Sequence, residues 1–393
     1  MNTKKIDNDY VLSTYGRADI EFVRGDNATL YDTDDKDYID FTSGIGVVSV
    51  GHANKRLSKA LCEQADRLLH VSNLYYIAPQ AQAAKKIVQA SGYDMKCFFG
   101  NSGAEANEAA IKIARKYGER DGEIKRYKII TLQHSFHGRT ITTIKATGQA
   151  SMHNYFGPFP DGFVYANDID EVANLVDGHT VAVMIELVQG EGGVEPQVQK
   201  KVQDLAKFLK TKDVLLIVDE VQTGVYRTGS FLASNLYEIE PDIITLAKGV
   251  GGGVPVGVVM TKLKEIFSPG DHGSTFGGNY LSCVAVCEVL DILQEYEKSG
   301  ELAQSMLYFN KILEDFFNKH RSIFIKKVGI GMMCGLRVKN ADTLSKIINS
   351  ARESGVMVLK AGRNTLRFLP VLTISKKEID EGFMRLNRVV SKL

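Results

Sequence analysis

Two largely apolar runs that end in charged residues constrain most strongly what this chain can fold into. Residues 214–218 are continuously apolar and lead into Asp219, while the segment 242–247 leads into Lys248 and the glycine-rich run 249–253. Continuous apolar runs of this length are typical of parallel strands that are buried on both faces of a sheet. The chain is therefore predicted to contain a buried sheet with reactive side chains at the ends of its strands.

Strand and helix patterns alternate over residues 95–262, which predicts an α/β fold with a mostly parallel sheet and helical crossovers. Beyond this region, helices and shorter strands predict a second, α+β domain. We expect three parts in total: an N-terminal arm with a small strand pair over 1–48, a large domain over 49–268, and a smaller domain over 269–393 that packs with the arm.

Candidate site residues follow the ends of the predicted strands. In open α/β sheets, ligands bind outside the carboxyl ends of the strands. The residues that fall just past such ends are Asn101, Phe136, Glu191, Asp219 and Lys248. Their convergence at one edge predicts a single site.

A lysine and an aspartate at two of these strand ends suggest an aldehyde cofactor. A lysine amine forms a Schiff base with the carbonyl of pyridoxal 5'-phosphate (PLP), and an aspartate keeps the pyridine nitrogen of PLP protonated. Taken alone, Lys248 would more simply be a surface lysine and Asp219 a helix cap. Their occurrence with the other strand-end residues favours the cofactor site.

The segment 97–108 predicts a short strand, a small polar turn and an alanine-rich helix. Such a turn aims free backbone amides at whatever lies above it, so a phosphate could bind at the helix N-terminus and at the Ser102 hydroxyl. A capped helix without a ligand is the alternative, because serine caps are common. The segment lacks both the Gly-Lys-Ser/Thr sequence of a P-loop and the glycine spacing of a dinucleotide site.

A second candidate segment, 134–140, follows the strand predicted over 128–132. Phe136 could stack on a flat cofactor ring, and Arg139 could hold a carboxylate through two parallel hydrogen bonds. The alternatives are a core phenylalanine and a surface ion pair.

Composition argues against several classes of partner. The 393 residues carry a formal net charge of +1, so neither nucleic acid nor an anionic membrane is expected to bind. The polar N-terminus does not resemble a secretory signal, and no apolar run has the length of a membrane span. Five scattered cysteines indicate reduced thiols and a cytoplasmic location. Cys283 and Cys287 are expected in core packing rather than in a metal site.

Together, these motifs resemble those of the class III aminotransferases, which have PLP fold type I. The resemblance covers nearly the whole chain and rests on ordered motifs at residues 41–45, 72–76, 101–108, 135–140, 189–193, 219–224, 246–249, 270–279 and 367–370. It implies a large domain whose mostly parallel sheet is flanked by helices, and a smaller α+β domain. It also implies PLP-dependent transamination by a ping-pong cycle.

The resemblance implies a role for each residue that would bind the cofactor. Lys248 would form the Schiff base and Asp219 would bind the pyridine nitrogen, which makes these two the expected catalytic residues. Phe136 would cover the ring. The other residues expected to bind PLP are Ser102, Gly103, Ala104, Glu220, Val221, Gln222 and, reaching into the site of a partner subunit, Thr275. The last of these implies a homodimer whose active site is shared across the interface.

The resemblance also implies how the substrates bind. Arg367 would bind the α-carboxylate of glutamate or 2-oxoglutarate, and Glu191 would neutralise Arg367 while the amino donor is bound. Arg139 and Ser274 complete the expected substrate-binding set. Where relatives that act on ornithine carry a tyrosine, this chain has Ile45, and an apolar side chain suits an acylated α-nitrogen.

The expected reaction therefore moves the terminal amino group of N2-acetyl-L-ornithine to 2-oxoglutarate, as in arginine biosynthesis. Alternative donors within the family are ornithine, succinylornithine, succinyldiaminopimelate and 4-aminobutyrate. Outside the family, the alternatives are a nucleotide-binding oxidoreductase and a non-catalytic relative. The missing glycine fingerprint counts against the oxidoreductase, and the presence of both Lys248 and Asp219 counts against the non-catalytic protein.

Overall fold

The structure is a computed structural model that describes residues 3–120 and 123–393. In chain order, the helices are α1 (Thr3–Tyr10), α2 (Ser43–Gly46), α3 (Lys55–Ala65), α4 (Ala78–Ser91), α5 (Gly103–Gly118), α6 (Ile141–Ala146), α7 (Ile169–Leu175), α8 (Gln199–Thr211), α9 (Ala233–Leu236), α10 (Tyr280–Lys298), α11 (Glu301–Lys319), α12 (Ala341–Glu353) and α13 (Lys376–Val390). No helix in these two ranges is both long and apolar enough to cross a membrane.

The strands of the same ranges divide between a large sheet and several smaller ones. In chain order, they are β1 (Phe22–Asp26), β2 (Thr29–Asp32), β3 (Asp37–Asp40), β4 (Lys96–Gly100), β5 (Glu119–Arg120), β6 (Glu123–Ile124), β7 (Lys128–Leu132), β8 (Phe163–Ala166), β9 (Thr180–Ile185), β10 (Val188–Gln189), β11 (Glu195–Pro196), β12 (Leu215–Asp219), β13 (Ile243–Leu246), β14 (Gly257–Thr261), β15 (Phe324–Ile330), β16 (Met333–Val338), β17 (Val356–Met357), β18 (Leu359–Ala361) and β19 (Thr365–Phe368).

A seven-stranded sheet forms the centre of the large domain, with the strand order β4-β14-β13-β12-β9-β7-β8. The strands from β13 to β8 pair in parallel, whereas β14 is antiparallel to both β13 and β4. Val218 lies opposite Ile244 on one side and Ile185 on the other. This register brings the carboxyl ends of β9, β12 and β13 to one edge, and it confirms the predicted mostly parallel sheet.

The central strands are buried on both faces because helices cover each face of the sheet. Every residue of β9, β12 and β13 is buried. Leu216 and Val218 point into a cluster with α8, while Leu215 and Ile217 point into a second cluster with α5. Side chains of successive strand residues alternate between faces, so a strand with helices on both sides has no polar face.

The N-terminal arm and the C-terminal third of the chain contain two four-stranded sheets, and one of these joins the two parts. Their orders are β15-β16-β19-β18 and β1-β2-β3-β17. Strand β17 pairs in parallel with β3, with Val356 opposite Ile39, so the arm packs with the C-terminal part. Helix α10, in contrast, packs against α3 and α4 of the large domain. The domain boundary at residue 269 stays a prediction, and this packing favours a boundary after α10.

Two predicted elements have different limits in the structure. The apolar spacing of residues 54–69 predicts one helix over that range, but α3 ends at Ala65, because Leu68 and Leu69 are exposed and extend no buried face. The apolar run 356–359 predicts one strand, but the structure has β17 and β18 there, which pair in different sheets.

Candidate active site

A cavity of about 400 Å³ lies at the carboxyl edge of the large sheet. Its size is that of small-molecule sites in proteins. The residues predicted from the sequence that line it are Asn101, Ser102, Gly103, Ala104, Phe136, Arg139, Glu191, Asp219, Val221, Gln222 and Lys248. Tertiary structure therefore brings together side chains from segments more than 140 residues apart.

Lys248 follows β13 and lies at the start of a 3-10 turn over Lys248–Gly251. Its backbone is left-handed, with a φ of +46°, which is uncommon for a residue with a side chain. The Ser49 hydroxyl donates a 2.6 Å hydrogen bond to the carbonyl of the next residue, Gly249. Burial lowers the pKa of the Lys248 amine, and the nearby Glu191 carboxylate opposes that shift. The neutral amine that a nucleophile or a base requires is thereby favoured.

Asp219 terminates β12, and its carboxylate is held from three directions. Oδ2 accepts a 2.8 Å hydrogen bond from Asn107 Nδ2 and lies 2.8 Å from His137 Nδ1, while Oδ1 accepts from the Val221 amide at 3.0 Å. The carboxylate is almost fully buried, with 4% exposed. Such an oriented acceptor at the cavity wall can hold a cationic ring N–H.

The sequence reasoning missed the two side chains that position Asp219. Asn107 lies one turn into α5, and His137 directly follows Phe136; both are buried and line the cavity. Asn107 and His137 both lie within the candidate segments 97–108 and 134–140, and this was the signal available in the sequence. Their positions in the sequence do not show which carboxylate they contact.

Helix α5 begins at the cavity, with Ser102 as its N-cap. The Ser102 hydroxyl accepts a 3.2 Å hydrogen bond from the Glu105 amide, and Gly103 and Ala104 line the cavity. A Cβ at Gly103 would lie 2.8 Å from Val221 Cγ1, so glycine allows this close packing. Free amides at a helix N-terminus bind phosphate well.

Arg367 on β19 is paired with Glu191 across the wall of the cavity. Arg367 Nη1 lies 2.6 Å from Glu191 Oε1 and 3.4 Å from Gln222 Oε1. Only 3% of the arginine side chain is exposed, whereas 30% of the glutamate is. Arg367 Nε is buried and has no hydrogen-bond partner within the described residues. A substrate carboxylate could therefore replace Glu191 and also accept from Nε.

Phe136 and Arg139 occupy the side of the cavity that follows β7. Phe136 is half-buried, and the guanidinium carbon of the exposed Arg139 lies 5.7 Å from the centre of its ring. This arrangement leaves both side chains able to contact a ligand in the cavity.

Five residues singled out from the sequence do not line the cavity themselves. Arg367 contacts Glu191 and Gln222, which do line it. Thr275 and Ile45 are exposed, and Ser274 Oγ accepts a 3.1 Å hydrogen bond from Asn101 Nδ2.

The fifth is Glu220, whose expected contact with the cofactor stays a prediction. Its buried carboxylate accepts from Thr223 Oγ1 and from the amides at the start of α9, at 2.6 to 2.9 Å. Because strand-end side chains alternate, Glu220 points away from Asp219 and caps α9.

The residues present fit the cofactor expected from the sequence. The cavity combines an amine of lowered pKa, an oriented buried carboxylate and a helix N-terminus, the three groups that bind the aldehyde, the ring nitrogen and the phosphate of PLP.

The family model described as aminotransferase class III matches residues 13–390. The chain belongs to this family. The predicted family, the PLP fold type I and the assignment as a PLP-dependent transaminase are therefore confirmed. Class III aminotransferases use the cofactor for which the cavity provides the groups named above.

Similar proteins cover this chain almost completely. It is 58% identical to a protein named acetylornithine aminotransferase from Wolinella succinogenes, over 98% of both chains. It is 43% identical to one of the same name from Aquifex aeolicus, over 97% of this chain and 100% of that one. Among solved class III structures, ornithine aminotransferase from Toxoplasma gondii matches with a TM-score of 0.90 at 30% identity, covering 99% of this chain and 94% of that chain. N-acetylornithine aminotransferase from Stenotrophomonas maltophilia matches with a TM-score of 0.83 at 32% identity, covering 99% and 98%.

Proposed function

We propose that this class III aminotransferase transfers the terminal amino group of N2-acetyl-L-ornithine to 2-oxoglutarate. The products are N-acetylglutamate 5-semialdehyde and glutamate, and the pathway is arginine biosynthesis. Lys248, Asp219 and the Arg367–Glu191 pair around one cavity carry the proposal of transamination between these substrates. Likeness over the whole chain to proteins named acetylornithine aminotransferase supports the choice of donor.

Apolar side chains near the cavity also support an acylated donor. Val47 lines the cavity, and Ile45 lies two residues before it at the end of a left-handed turn. An acylated α-nitrogen carries no charge, so it needs no acidic or phenolic partner there. Ornithine is the alternative donor, since solved proteins of similar fold include ornithine aminotransferases.

In this proposal, PLP supplies a protonated conjugated ring that withdraws electrons from the substrate carbon. Asp219, oriented by Asn107 and His137, keeps the proton on the ring nitrogen. Lys248 Nζ would take the proton from the amino-bearing carbon as general base and then deliver it, as general acid, to the cofactor carbon that carried the aldehyde. Burial, by lowering the pKa of the Lys248 amine, keeps part of the amine neutral for the first of these steps.

The Arg367–Glu191 pair lets one cavity accept two kinds of substrate. While the donor is bound, Glu191 neutralises Arg367, because no substrate carboxylate reaches it. When 2-oxoglutarate binds, its α-carboxylate displaces Glu191 and pairs with the guanidinium. The greater exposure of Glu191 supports its role as the moving partner. Arg139 at the exposed mouth would contact the carboxylate of the donor.

A donor panel tests the proposed reaction. Single-turnover half-reactions of the PLP-loaded enzyme with acetylornithine, ornithine, succinylornithine, succinyldiaminopimelate and 4-aminobutyrate are followed by cofactor absorbance. We expect acetylornithine to have the highest specificity constant. A higher value for ornithine would contradict the proposed donor, and absence of reaction with all five would contradict the proposed function.

We also propose a homodimer with an active site shared between subunits. Four large exposed side chains support it, since an apolar surface of this kind is commonly covered by a partner. They are Leu74 (87% exposed), Tyr75 (70%), Tyr76 (104%) and Phe276 (62%). Thr275 is also exposed beside Phe276, as a residue that reaches another subunit's phosphate would be.

A cytoplasmic location is proposed with this function. All five cysteines are free, which is the state that a reducing compartment maintains. Fractionation of cells that express the full chain, with assay of each fraction, tests this location.

A further inference from the structure

Glu186 is a buried acid in the cavity wall to which the proposed reaction gives no role. It directly follows β9, and only 6% of the residue is exposed. Its Oε2 accepts a 2.9 Å hydrogen bond from the Phe136 amide, and the Gly190 amide donates to Oε1 at 3.4 Å. One carboxyl group therefore contacts the turn that carries Phe136 and the turn that carries Glu191.

These two turns are packed closely at other points as well. Gln189 Nε2 donates a 2.9 Å hydrogen bond to the Gln133 carbonyl. A Cβ at Gly192 would lie 2.7 Å from the His134 carbonyl oxygen. The turns cannot move past each other without breaking these contacts, so a group that joins them at the cavity can set the position of both.

We propose that Glu186 is a positioning residue whose carboxyl group ties the turn bearing Phe136 to the turn bearing Glu191. Through these two hydrogen bonds it sets both the ring that covers the cofactor and the carboxylate that pairs with Arg367. The proposal rests on the proposed roles of Phe136 and Glu191 and deepens them.

The surroundings of Glu186 give this link a pH dependence. Burial, and then the neighbouring Asp219 carboxylate, raise the pKa of Glu186 to about 7, while His137 opposes the shift. Lys248 also faces this acid, and Glu191 lines the same cavity. An ionised carboxylate accepts from amides more strongly than a neutral one. The link between the turns is therefore stronger above neutral pH than below it.

The effect on stability has the opposite sign. Because the pKa of Glu186 is raised in the folded state, folding favours its neutral form. The contribution of neutral Glu186 to the free energy of unfolding is therefore fully present at pH values below the ordinary glutamate pKa. This contribution is lost as the pH rises through about 7. Glutamine does not titrate, so the Glu186→Gln variant should not show this decrease in the free energy of unfolding.

The test compares Glu186→Gln with a matched control, Glu240→Gln, an exposed glutamate just before β13 at the other end of the sheet. PLP is titrated into each apoenzyme, and the dissociation constant is read from the absorbance. We expect a weakening of about tenfold for Glu186→Gln, the loss of one charge-assisted hydrogen bond, and none for the control. We also expect the donor half-reaction to slow more than the 2-oxoglutarate half-reaction, because a loosened Glu191 leaves Arg367 unneutralised.

Denaturant unfolding of the apoenzymes between about pH 5 and pH 8 supplies a readout that is independent of turnover. The unfolding free energy of the wild-type protein should fall relative to that of Glu186→Gln as the pH rises. Unchanged PLP affinity together with parallel pH curves would overturn the proposal. If none of the five donors reacted, that result would count against the proposed reaction. The PLP titration and the unfolding curves would still test the role of Glu186.

Should Glu186→Gln fail to fold, hydrogen exchange of the wild-type apoenzyme decides the matter. After correction for intrinsic rates, the peptides that contain Phe136 and Gly190 should gain protection together between pH 6 and pH 8, because the ionised acid accepts more strongly. A peptide from β14 serves as the internal reference. Independent or absent changes in the two turns would refute the link.

Discussion

Single residues in the cavity owe their chemistry to burial and to their immediate neighbours. The Lys248 amine has a lowered pKa because it is desolvated, and its left-handed backbone is held by contacts such as the Ser49 hydroxyl on the Gly249 carbonyl. A lysine in water would be protonated at neutral pH and would neither attack a carbonyl nor accept a proton.

Replacement of Lys248 by alanine should abolish transamination while the protein still folds. The removed group is the nucleophile and base, and folding does not require it, because its desolvation opposes the charged form of the amine. Borohydride treatment followed by peptide mass analysis should attach the cofactor mass to the Lys248 peptide of the wild-type enzyme only. Lys207→Ala, an exposed lysine on α8, is the control and should keep full activity. Substantial turnover by Lys248→Ala would contradict the role of Lys248 as nucleophile and base.

Arg367 and Arg139 should each contribute mainly to the binding of a different substrate. Arg367→Ala should weaken the binding of 2-oxoglutarate far more than that of the donor, by about 2 kcal/mol or more, since the substrate carboxylate loses the buried guanidinium with which it would pair. Arg139→Ala, at the exposed mouth, should impair the donor instead. Steady-state KM and kcat for both half-reactions measure the contrast, and equal losses in the two half-reactions would contradict it.

At the scale of elements, the start of α5 has two roles, helix capping and ligand binding, that can be tested separately. As an N-cap, Ser102 satisfies a helix amide, and by its location it faces the cavity. Asn340 has only the capping role, since it caps α12 by accepting a 2.8 Å hydrogen bond from the Thr343 amide.

Ser102→Ala and Asn340→Ala should each cost about 1 kcal/mol of stability, the usual contribution of a cap. Only Ser102→Ala should also weaken PLP and inorganic phosphate binding to the apoenzyme. Thermal unfolding measures the first effect and cofactor titration the second. Equal PLP affinity in the two variants would show that the Ser102 hydroxyl does not hold the phosphate.

At the scale of the whole molecule, a complete site requires more than one chain if Thr275 acts across the interface. In a single subunit this residue lies outside the cavity and is exposed. In the proposed homodimer, its side chain would act at the site of the second copy.

Mixed dimers test this arrangement. Lys248→Ala and Thr275→Arg homodimers should both have little activity, the first for lack of the amine and the second because arginine obstructs the phosphate site. After subunit exchange, a mixed dimer contains one site with both Lys248 and Thr275 intact, so activity should reappear. If Thr275 served its own subunit, neither site of the mixed dimer would be intact and activity would stay absent. Light scattering confirms the assembly state.

Much of the site could be predicted because its residues occur in compact local motifs. Ser102, Phe136, Asp219 and Lys248 each follow a recognisable strand, and all four line the cavity. Adjacency to Asp219 does not tell in which direction Glu220 points, and the structure shows that its carboxylate caps α9.

The sequence by itself determined the strand-helix alternation, the charged residues at the strand ends and the family of the protein. These follow from local hydrophobic period and from short motifs, which need no knowledge of distant contacts. Only the tertiary structure decided that Arg367 pairs with Glu191, that Asn107 and His137 orient Asp219, and that Glu186 joins two turns. Those relations depend on the directions of side chains from remote segments once the sheet is assembled, and spacing along one chain does not encode them.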